Sequence, residues 1–201
     1  MKNNMVITIG RQYGSGGREI GEKLAERLGY EYYDTQILEK AADEAHLTEA
    51  ILKRYDEKLK DGWLNTSIWA SGNTDIHHLP VPLKAAIGQF EAIRKIGRKG
   101  AAVIVGRCAD YVLKEQKNVF SVFIHADMKQ RAVRVAKRNN MKESDARKRI
   151  RSIDKERASY YNYYTEKEWG ACASYNLSID SGVFGIDGTV EIIENCLRSM
   201  Q

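Results

Sequence analysis

The feature that most constrains this chain is a glycine-rich turn between an apolar segment and an amphipathic one, in the stretch ITIGRQYGSGGREIG (residues 7–21). Residues 5–9 have the apolar character of a buried strand, and residues 18–28 carry apolar side chains at helical spacing until Gly29 ends the pattern. In a strand–loop–helix unit of this kind, backbone N–H groups point into the loop and towards the start of the helix, where together they bind an anion. The stretch therefore predicts a phosphate-binding loop after the first strand of an α/β fold.

This loop departs from the common phosphate-binding pattern G-x-x-x-x-G-K-[ST] at its last residues. Gly17 stands where the lysine is normally found, and Arg18 and Glu19 occupy the positions that follow. Because a guanidinium group can bind phosphate through two hydrogen bonds, Arg18 or Arg11 is predicted to supply the missing charge. Ser15 either caps the turn or contacts a phosphate. A turn that only joins strand to helix remains the alternative.

The rest of the chain alternates strands with helices. The runs YEYY, AAVIVG, NVFSVFIHA and YNLSID predict four further strands. Helices are predicted near residues 35–45, 48–59, 83–99 and 188–197, with two charged helices between 127 and 165 that are broken near Asn139 and Asn140. Residues 60–82 contain both prolines of the chain and are predicted to form a long loop or insertion. The alternation predicts a single α/β domain with a mostly parallel sheet.

Positive charge is concentrated in one part of the chain. The net charge is +5, and residues 129–157 alone contain twelve Lys or Arg against four Asp or Glu. Such a concentration predicts a phosphate-bearing ligand, which is either a nucleotide or a nucleic acid backbone. A solvated helix face would have the same composition and stays open as an alternative.

The cysteine, histidine and hydropathy patterns set the expected environment. Three widely spaced cysteines argue against a disulfide framework, and no apolar run approaches the roughly 20 residues that span a bilayer. We therefore expect a cytoplasmic protein with no membrane partner. No metal site is predicted, because the adjacent His77 and His78 lack a third ligand at metal-binding spacing.

Four further stretches resemble segments of bacterial cytidylate kinases, in the same order. YYDTQILEKA (residues 32–41) resembles the start of the monophosphate-binding region, and VIVGRCADYVL (residues 103–113) resembles a strand followed by Gly-Arg and a short helix. VFIHADMKQRAVRV (residues 122–135) resembles the strand and helix that open the lid, and IDKERASYY (residues 153–161) resembles the Asp-x-x-Arg of the lid. The whole chain resembles the cytidylate kinase-like family, whose members typically carry this glycine-rich loop in place of the common one.

The resemblance implies a fold and a set of site residues. The fold is a three-layer P-loop kinase fold with a mostly parallel five-stranded sheet, in one domain of residues 1–201 with a monophosphate-binding region at 35–99 and a lid at 127–165. The residues predicted at the donor phosphates are those of the glycine-rich loop, Gly14, Ser15, Gly16 and Gly17, together with Arg11 and Arg18, which are proposed from their charge. The residues implied at the acceptor are Asp34, Thr35, Lys40 and Arg107, with Lys40 standing where the family has arginine. The lid would contribute Arg131, Arg151 and Arg157, together with Asp154 to orient them or to contact a cytosine amino group. Asp34 and Thr35 read equally well as the N-terminal cap of a helix.

The resemblance, taken with the glycine-rich loop and the arginines, implies a nucleoside monophosphate kinase that uses ATP with Mg²⁺ and takes CMP or dCMP as the acceptor. The missing lysine keeps open a nucleotide-binding sensor without turnover, and residues 60–82 keep open a kinase for another small metabolite. Aromatic residues beside basic ones in SYYNYYTEKEW also allow an RNA-binding module, although a nucleic acid partner is the less favoured reading. The oligomeric state is not predicted.

Overall fold

A computed structural model describes residues 4–38, 81–165 and 167–200 of the protein. The predicted loop at 60–82 lies almost entirely outside these residues. So do the predicted helix at 48–59, most of that at 35–45, Lys40 and both adjacent histidines. The described residues place a parallel β-sheet between two layers of helices.

The sheet has five strands, all parallel to their neighbours, in the order β2-β3-β1-β4-β5. The strands are β1 (Val6–Arg11), β2 (Glu31–Tyr33), β3 (Ala102–Val105), β4 (Val119–His125) and β5 (Leu177–Asp180). Strand β1 is central, and its apolar residues are buried because helices cover both faces of the sheet. The predicted fold class is confirmed, since all five strands form where apolar runs predicted them.

Six helices and one 3₁₀ turn are described. They are α1 (Gly17–Leu28), α2 (Val81–Lys99), α3 (Ala109–Val112), α4 (Met128–Asn139), α5 (Glu143–Thr165) and α6 (Ser181–Ser199), with the 3₁₀ turn at Cys172–Ser174. A further helix begins at residues 35–38. No helix in the described part of the chain is long and apolar enough to cross a membrane.

The helix ends follow local chemistry. Gly29 ends α1 in the left-handed conformation, and Asn140 ends α4 in the same way, which confirms the predicted break. Asp127 and Asp180 cap α4 and α6 by accepting backbone N–H groups. Helix α6 therefore begins earlier than predicted, at Ser181, and a non-helical Gly185 interrupts it.

Apolar side chains of the helices pack against both faces of the sheet. One face packs against α1 and α6 through residues such as Ile20, Leu24 and Ile193, and the other packs against α2, α3 and tyrosines of α5. Helices α4 and α5 share a small cluster of their own, centred on Val135 and Ile150. This arrangement leaves the carboxyl ends of β1, β2 and β3 facing one cavity.

Candidate functional site

The cavity at the carboxyl ends of the strands has a volume of about 1310 Å³. In open α/β sheets this edge is where ligands bind. Its walls come from the glycine-rich loop, the start of α1, the segment after β2, the turn after β3, and helices α4 and α5. Most of the predicted site residues therefore meet in one place, although they are far apart along the chain.

The glycine-rich loop adopts a conformation that depends on its glycines. Gly14 and Gly16 have φ angles of 83° and 84°, which L-residues rarely adopt. A Cβ on Gly14 would also lie 2.8 Å from the Val135 side chain. The Ser15 hydroxyl donates to the Gln12 carbonyl at 2.9 Å and faces the Gly17 N–H at 3.4 Å. Ser15 therefore stabilises the turn itself, as the capping alternative predicted.

Three arginines from three separate segments converge beside this loop. Arg11 ends β1, Arg107 follows β3, and Arg157 on α5 donates to the Arg11 carbonyl at 2.9 Å. All three line the cavity. Burial, followed by the charges of Arg157 and Arg107, lowers the pKa of Arg11 to about 9, and burial also lowers the pKa of Arg157. Holding these cations together costs electrostatic energy that a bound phosphate would offset.

A strained turn presents the second of these arginines. Gly106, Arg107 and Cys108 have consecutive left-handed φ angles of 91°, 52° and 56°. A Cβ on Gly106 would overlap the Arg11 guanidinium group, so the glycine lets Arg11 pass beneath the turn. The Arg107 guanidinium carbon lies 5.0 Å from the centre of the Tyr160 ring. Positive φ at two non-glycine residues is uncommon and clusters at functional sites.

Asp34 organises the opposite wall of the cavity. Its Oδ1 accepts the N–H groups of Gln36 and Ile37 at 3.0 and 3.1 Å, so it caps the helix that begins after β2. Its Oδ2 pairs with Arg18 Nη2 at 3.0 Å. Thr35 accepts a hydrogen bond from Arg11 Nη2 at 3.3 Å. Asp34 is thus a helix cap that also faces the cavity.

Arg18 lines the cavity, but its side chain is paired with carboxylates outside the glycine-rich loop. Besides Asp34 it pairs with Glu22 at 3.1 Å, and its side chain is 61% exposed. The hydrogen bond that Arg18 donates to the Glu22 carboxylate raises the pKa of Arg18. These contacts therefore do not favour the prediction that Arg18 replaces the missing lysine. Arg134 on α4 lies closer to the loop, because its Nη1 donates to the Gly14 carbonyl at 2.9 Å.

Tyr13 joins the loop to the predicted lid. Its N–H donates to Asp154 Oδ1 at 2.7 Å, and its hydroxyl accepts from Arg138 at 2.8 Å. The guanidinium carbons of Arg138 and Arg157 lie 5.2 and 5.6 Å from the centre of its ring, within cation–π range. Helices α4 and α5 are thereby attached to the loop that they cover.

Two of the predicted lid arginines do not face the cavity. Arg131 has a side chain only 7% exposed, and it pairs with Asp154 at 2.5 Å beneath the loop. Arg151 is exposed on α5 and does not line the cavity. Arg131 and Arg151 were predicted at the site from their charge, and charge alone does not indicate which face of a helix is turned inward. The residues of α4 that line the cavity instead are Arg134, Lys137 and Arg138.

Arg134, Lys137 and Arg138 were not predicted at the site, although their spacing in the sequence indicates a shared helix face. Lys137 and Arg138 follow Arg134 by three and four residues, which places all three near one face of a helix. The neighbouring Val135 packs beneath Gly14, so α4 is held against the loop. That packing decides which arginines reach the cavity, and it is not visible in the sequence.

The cavity suits a polyphosphate better than it suits a protein-held metal. Within the described ranges, no three His, Cys, Asp or Glu side chains are grouped to hold a metal ion. The hydroxyl of Ser15 is engaged by the loop. Mg²⁺ is often bound largely through substrate phosphates and water. The residues present therefore fit a nucleotide that brings the metal with it.

Comparisons with known proteins agree with this geometry. A sequence model of the cytidylate kinase-like family matches residues 6–183. Over 98% of its length this chain is 24% identical to a cytidylate kinase from Methanothrix thermoacetophila, all of which is covered. It is 26% identical to a cytidylate kinase from Methanopyrus kandleri, over 95% of this chain and 92% of that protein.

Solved structures share the architecture. An uncharacterized protein from Eubacterium ventriosum has a TM-score of 0.75 at 28% identity, covering 97% of this chain and 99% of that one. A shikimate kinase from Bacteroides thetaiotaomicron has a TM-score of 0.53 at 12% identity, covering 96% and 98%. The second likeness shows the fold alone, which is that of the P-loop kinases.

Proposed function

This chain belongs to the cytidylate kinase-like family, and we propose that it transfers the γ-phosphate of ATP to a nucleoside monophosphate, with CMP or dCMP as the acceptor. Family membership supports a nucleotide kinase in general. The choice of acceptor is the finer part of the proposal. One observation carries the proposal of phosphoryl transfer: Arg11, Arg107 and Arg157 converge beside a glycine-rich loop in a single cavity.

Phosphoryl transfer places a charged group between two anions, so the protein must position both and neutralise the charge that moves between them. The N–H groups of the glycine-rich loop and the start of α1 would hold the donor phosphates. Arg134 and Arg138 would approach the same phosphates from α4, where both line the cavity. Mg²⁺ supplies charge neutralisation when it arrives bound to the ATP phosphates.

The acceptor phosphate would bind on the other side of the three arginines. Arg107, raised by the strained turn after β3, would hold it together with Arg11. Asp34 and Thr35 form the neighbouring wall, and Lys40 is a predicted contributor outside the described residues. Arg157, which donates a hydrogen bond to the Arg11 carbonyl, would stabilise the charge on the group being transferred.

The test is an assay of ADP release with ATP, Mg²⁺ and a panel of nucleoside monophosphates, each checked for its diphosphate product. We expect turnover that depends on CMP or dCMP. Arg157→Ala should lower kcat at least tenfold, which is about 1.4 kcal/mol of transition-state stabilisation. Arg149→Ala is the matched control, because Arg149 is exposed on the same helix and does not line the cavity.

Two results would count against the proposal. Equal activity of Arg157→Ala and wild type would remove Arg157 from the mechanism. Binding of ATP without turnover of any monophosphate would favour a nucleotide-binding sensor, which is the reading that the missing lysine supports.

A further inference from the structure

Tyr160 packs against Arg107 and has no part in the chemistry described so far. It lies on α5, three residues after Arg157, and all three side chains line the cavity. The Arg107 guanidinium carbon is 5.0 Å from the centre of the Tyr160 ring. At this distance the electron-rich face of an aromatic ring attracts a cation. Tyr160 therefore contacts the arginine that would hold the acceptor phosphate.

Arg107 occupies a position that a neighbouring cation opposes. The turn brings Gly106 onto the guanidinium group of Arg11, and burial, followed by the charges of Arg157 and Arg107, lowers the pKa of Arg11. Cations this close to each other repel. Without a partner, the Arg107 side chain would gain electrostatic energy by turning towards solvent. The ring of Tyr160 stabilises Arg107 against that repulsion.

Tyr160 is itself held from the side of α2. Its hydroxyl donates to Oε1 of Gln89, a buried residue of that helix, at 3.3 Å. Its ring centre lies 4.6 Å from that of Tyr164, which meets Phe90 of α2 edge-on at 5.6 Å. Burial raises the pKa of Tyr160, and a hydrogen bond with Arg107 opposes that rise. These contacts fix the orientation of the ring against which Arg107 packs.

A fixed support for Arg107 would lower the cost of binding a phosphate. An arginine side chain has several rotatable bonds, and ordering it during binding costs conformational entropy. Because Arg107 is already packed on a ring, that freedom is reduced before the ligand arrives, and more of the phosphate interaction appears as affinity.

We propose that Tyr160 is a positioning residue, which holds the Arg107 guanidinium group in the orientation that binds the acceptor phosphate. This inference rests on the proposed function. Tyr160 acts through Arg107 and not through a contact with the nucleotide. Its effect is therefore confined to the acceptor, and binding of ATP at the glycine-rich loop should not depend on it.

The experiment measures the dissociation constants of CMP and of ATP by calorimetry, which does not require turnover. Tyr160→Leu should weaken CMP binding by roughly fivefold or more, as expected for the loss of a partly buried cation–π contact, and should change ATP binding by less than about twofold. Tyr163→Leu is the matched control, because Tyr163 is 46% exposed on the same helix and does not line the cavity. It should alter neither constant.

A double-variant cycle separates positioning from direct contact. In an Arg107→Met protein, Tyr160→Leu should cause no further loss of CMP affinity, because the side chain that Tyr160 positions is gone. An equal loss in both backgrounds would mean that Tyr160 contacts the nucleotide itself, which overturns the inference. A folded Tyr160→Leu protein that binds CMP as tightly as wild type also overturns it, and so does an equal loss of CMP and ATP affinity.

Tyr160→Phe is the second variant, and it decides the question if Tyr160→Leu does not fold. It keeps the ring but loses the hydroxyl contacts with Gln89 and Arg107, so CMP binding should weaken about two- to threefold, and unchanged binding overturns the inference. A wild type that binds CMP with these dependences but phosphorylates no monophosphate contradicts the proposed function and supports the positioning role. A wild type that does not bind CMP overturns both.

Discussion

Replacing Asp154 with alanine should destabilise the protein, because Arg131 would lose its paired carboxylate and the Tyr13 N–H would lose its acceptor. Its Oδ2 pairs with Arg131, whose side chain is 7% exposed, and its Oδ1 accepts the Tyr13 N–H. Removing one partner of a buried ion pair typically costs about 3–5 kcal/mol. Asp154 is itself 16% exposed, so water can reach part of the gap, and Arg131 keeps a contact with the Tyr13 carbonyl at 3.3 Å. We therefore expect about 3 kcal/mol, at the lower end of that range.

Urea unfolding followed by circular dichroism measures this loss. For a chain of this size about 3 kcal/mol corresponds to a fall in Tm of roughly 6–12 °C. Asp154→Asn should lose less, because its amide oxygen can still accept the Tyr13 N–H. The double variant Asp154→Ala/Arg131→Met should recover part of the loss, since it leaves no buried charge unpaired.

The reasoning is refuted if Asp154→Ala unfolds within about 0.5 kcal/mol of wild type, the ordinary scatter of surface substitutions. It is also refuted if the two substitutions are additive, because independent effects would mean that the ion pair contributes nothing. Either result would return Asp154 to the alternative role predicted from the sequence, a direct contact with the acceptor base.

Three further predictions follow from the contacts around the cavity. Arg134→Ala should raise the KM for ATP about tenfold, whereas Arg18→Ala should change mainly the KM for the acceptor. If steady-state kinetics show the larger rise in the KM for ATP with Arg18→Ala, then Arg18 is the substitute for the missing lysine. Gly106→Ala should lower the free energy of unfolding by at least 1–2 kcal/mol, because a left-handed φ and the Arg11 side chain both oppose a Cβ, and an unchanged urea midpoint would contradict this. Inorganic sulfate should raise the Tm by about 5–10 °C at a hundred times its dissociation constant, and Arg11→Met should abolish that shift if the arginine cluster is the binding site.

The fold could be predicted because its signals are local and repeated. Each strand is an apolar run, Gly29 and Asn140 mark helix ends, and the glycine-rich turn appears where β1 meets α1. Arg107 could be placed at the cavity for the same reason, since it directly follows a buried strand. These features depend on residues that are neighbours in the chain.

The arginines of α4 that reach the cavity could not be predicted, because their positions depend on pairings between distant segments. Arg131 and Arg134 have the same charge and lie on the same helix, yet one is bound beneath the loop by Asp154 and the other lines the cavity. Nothing in the residues around Tyr13 indicates that it contacts both α4 and α5. The left-handed conformation of Arg107 is equally hidden, because it occurs at a residue type that rarely adopts it.

The position of β1 at the centre of the sheet has a consequence for how the chain folds during synthesis. Val6 pairs with Ala102 on one side and with Val119 on the other, and both partners are translated much later. At ~5–20 residues per second, this apolar strand waits on the order of ten seconds before either neighbour exists. During that interval the unpaired edges of β1 are open to pairing with other chains. Slowing translation between α1 and β3 should therefore lower the soluble yield, even though the finished protein is identical.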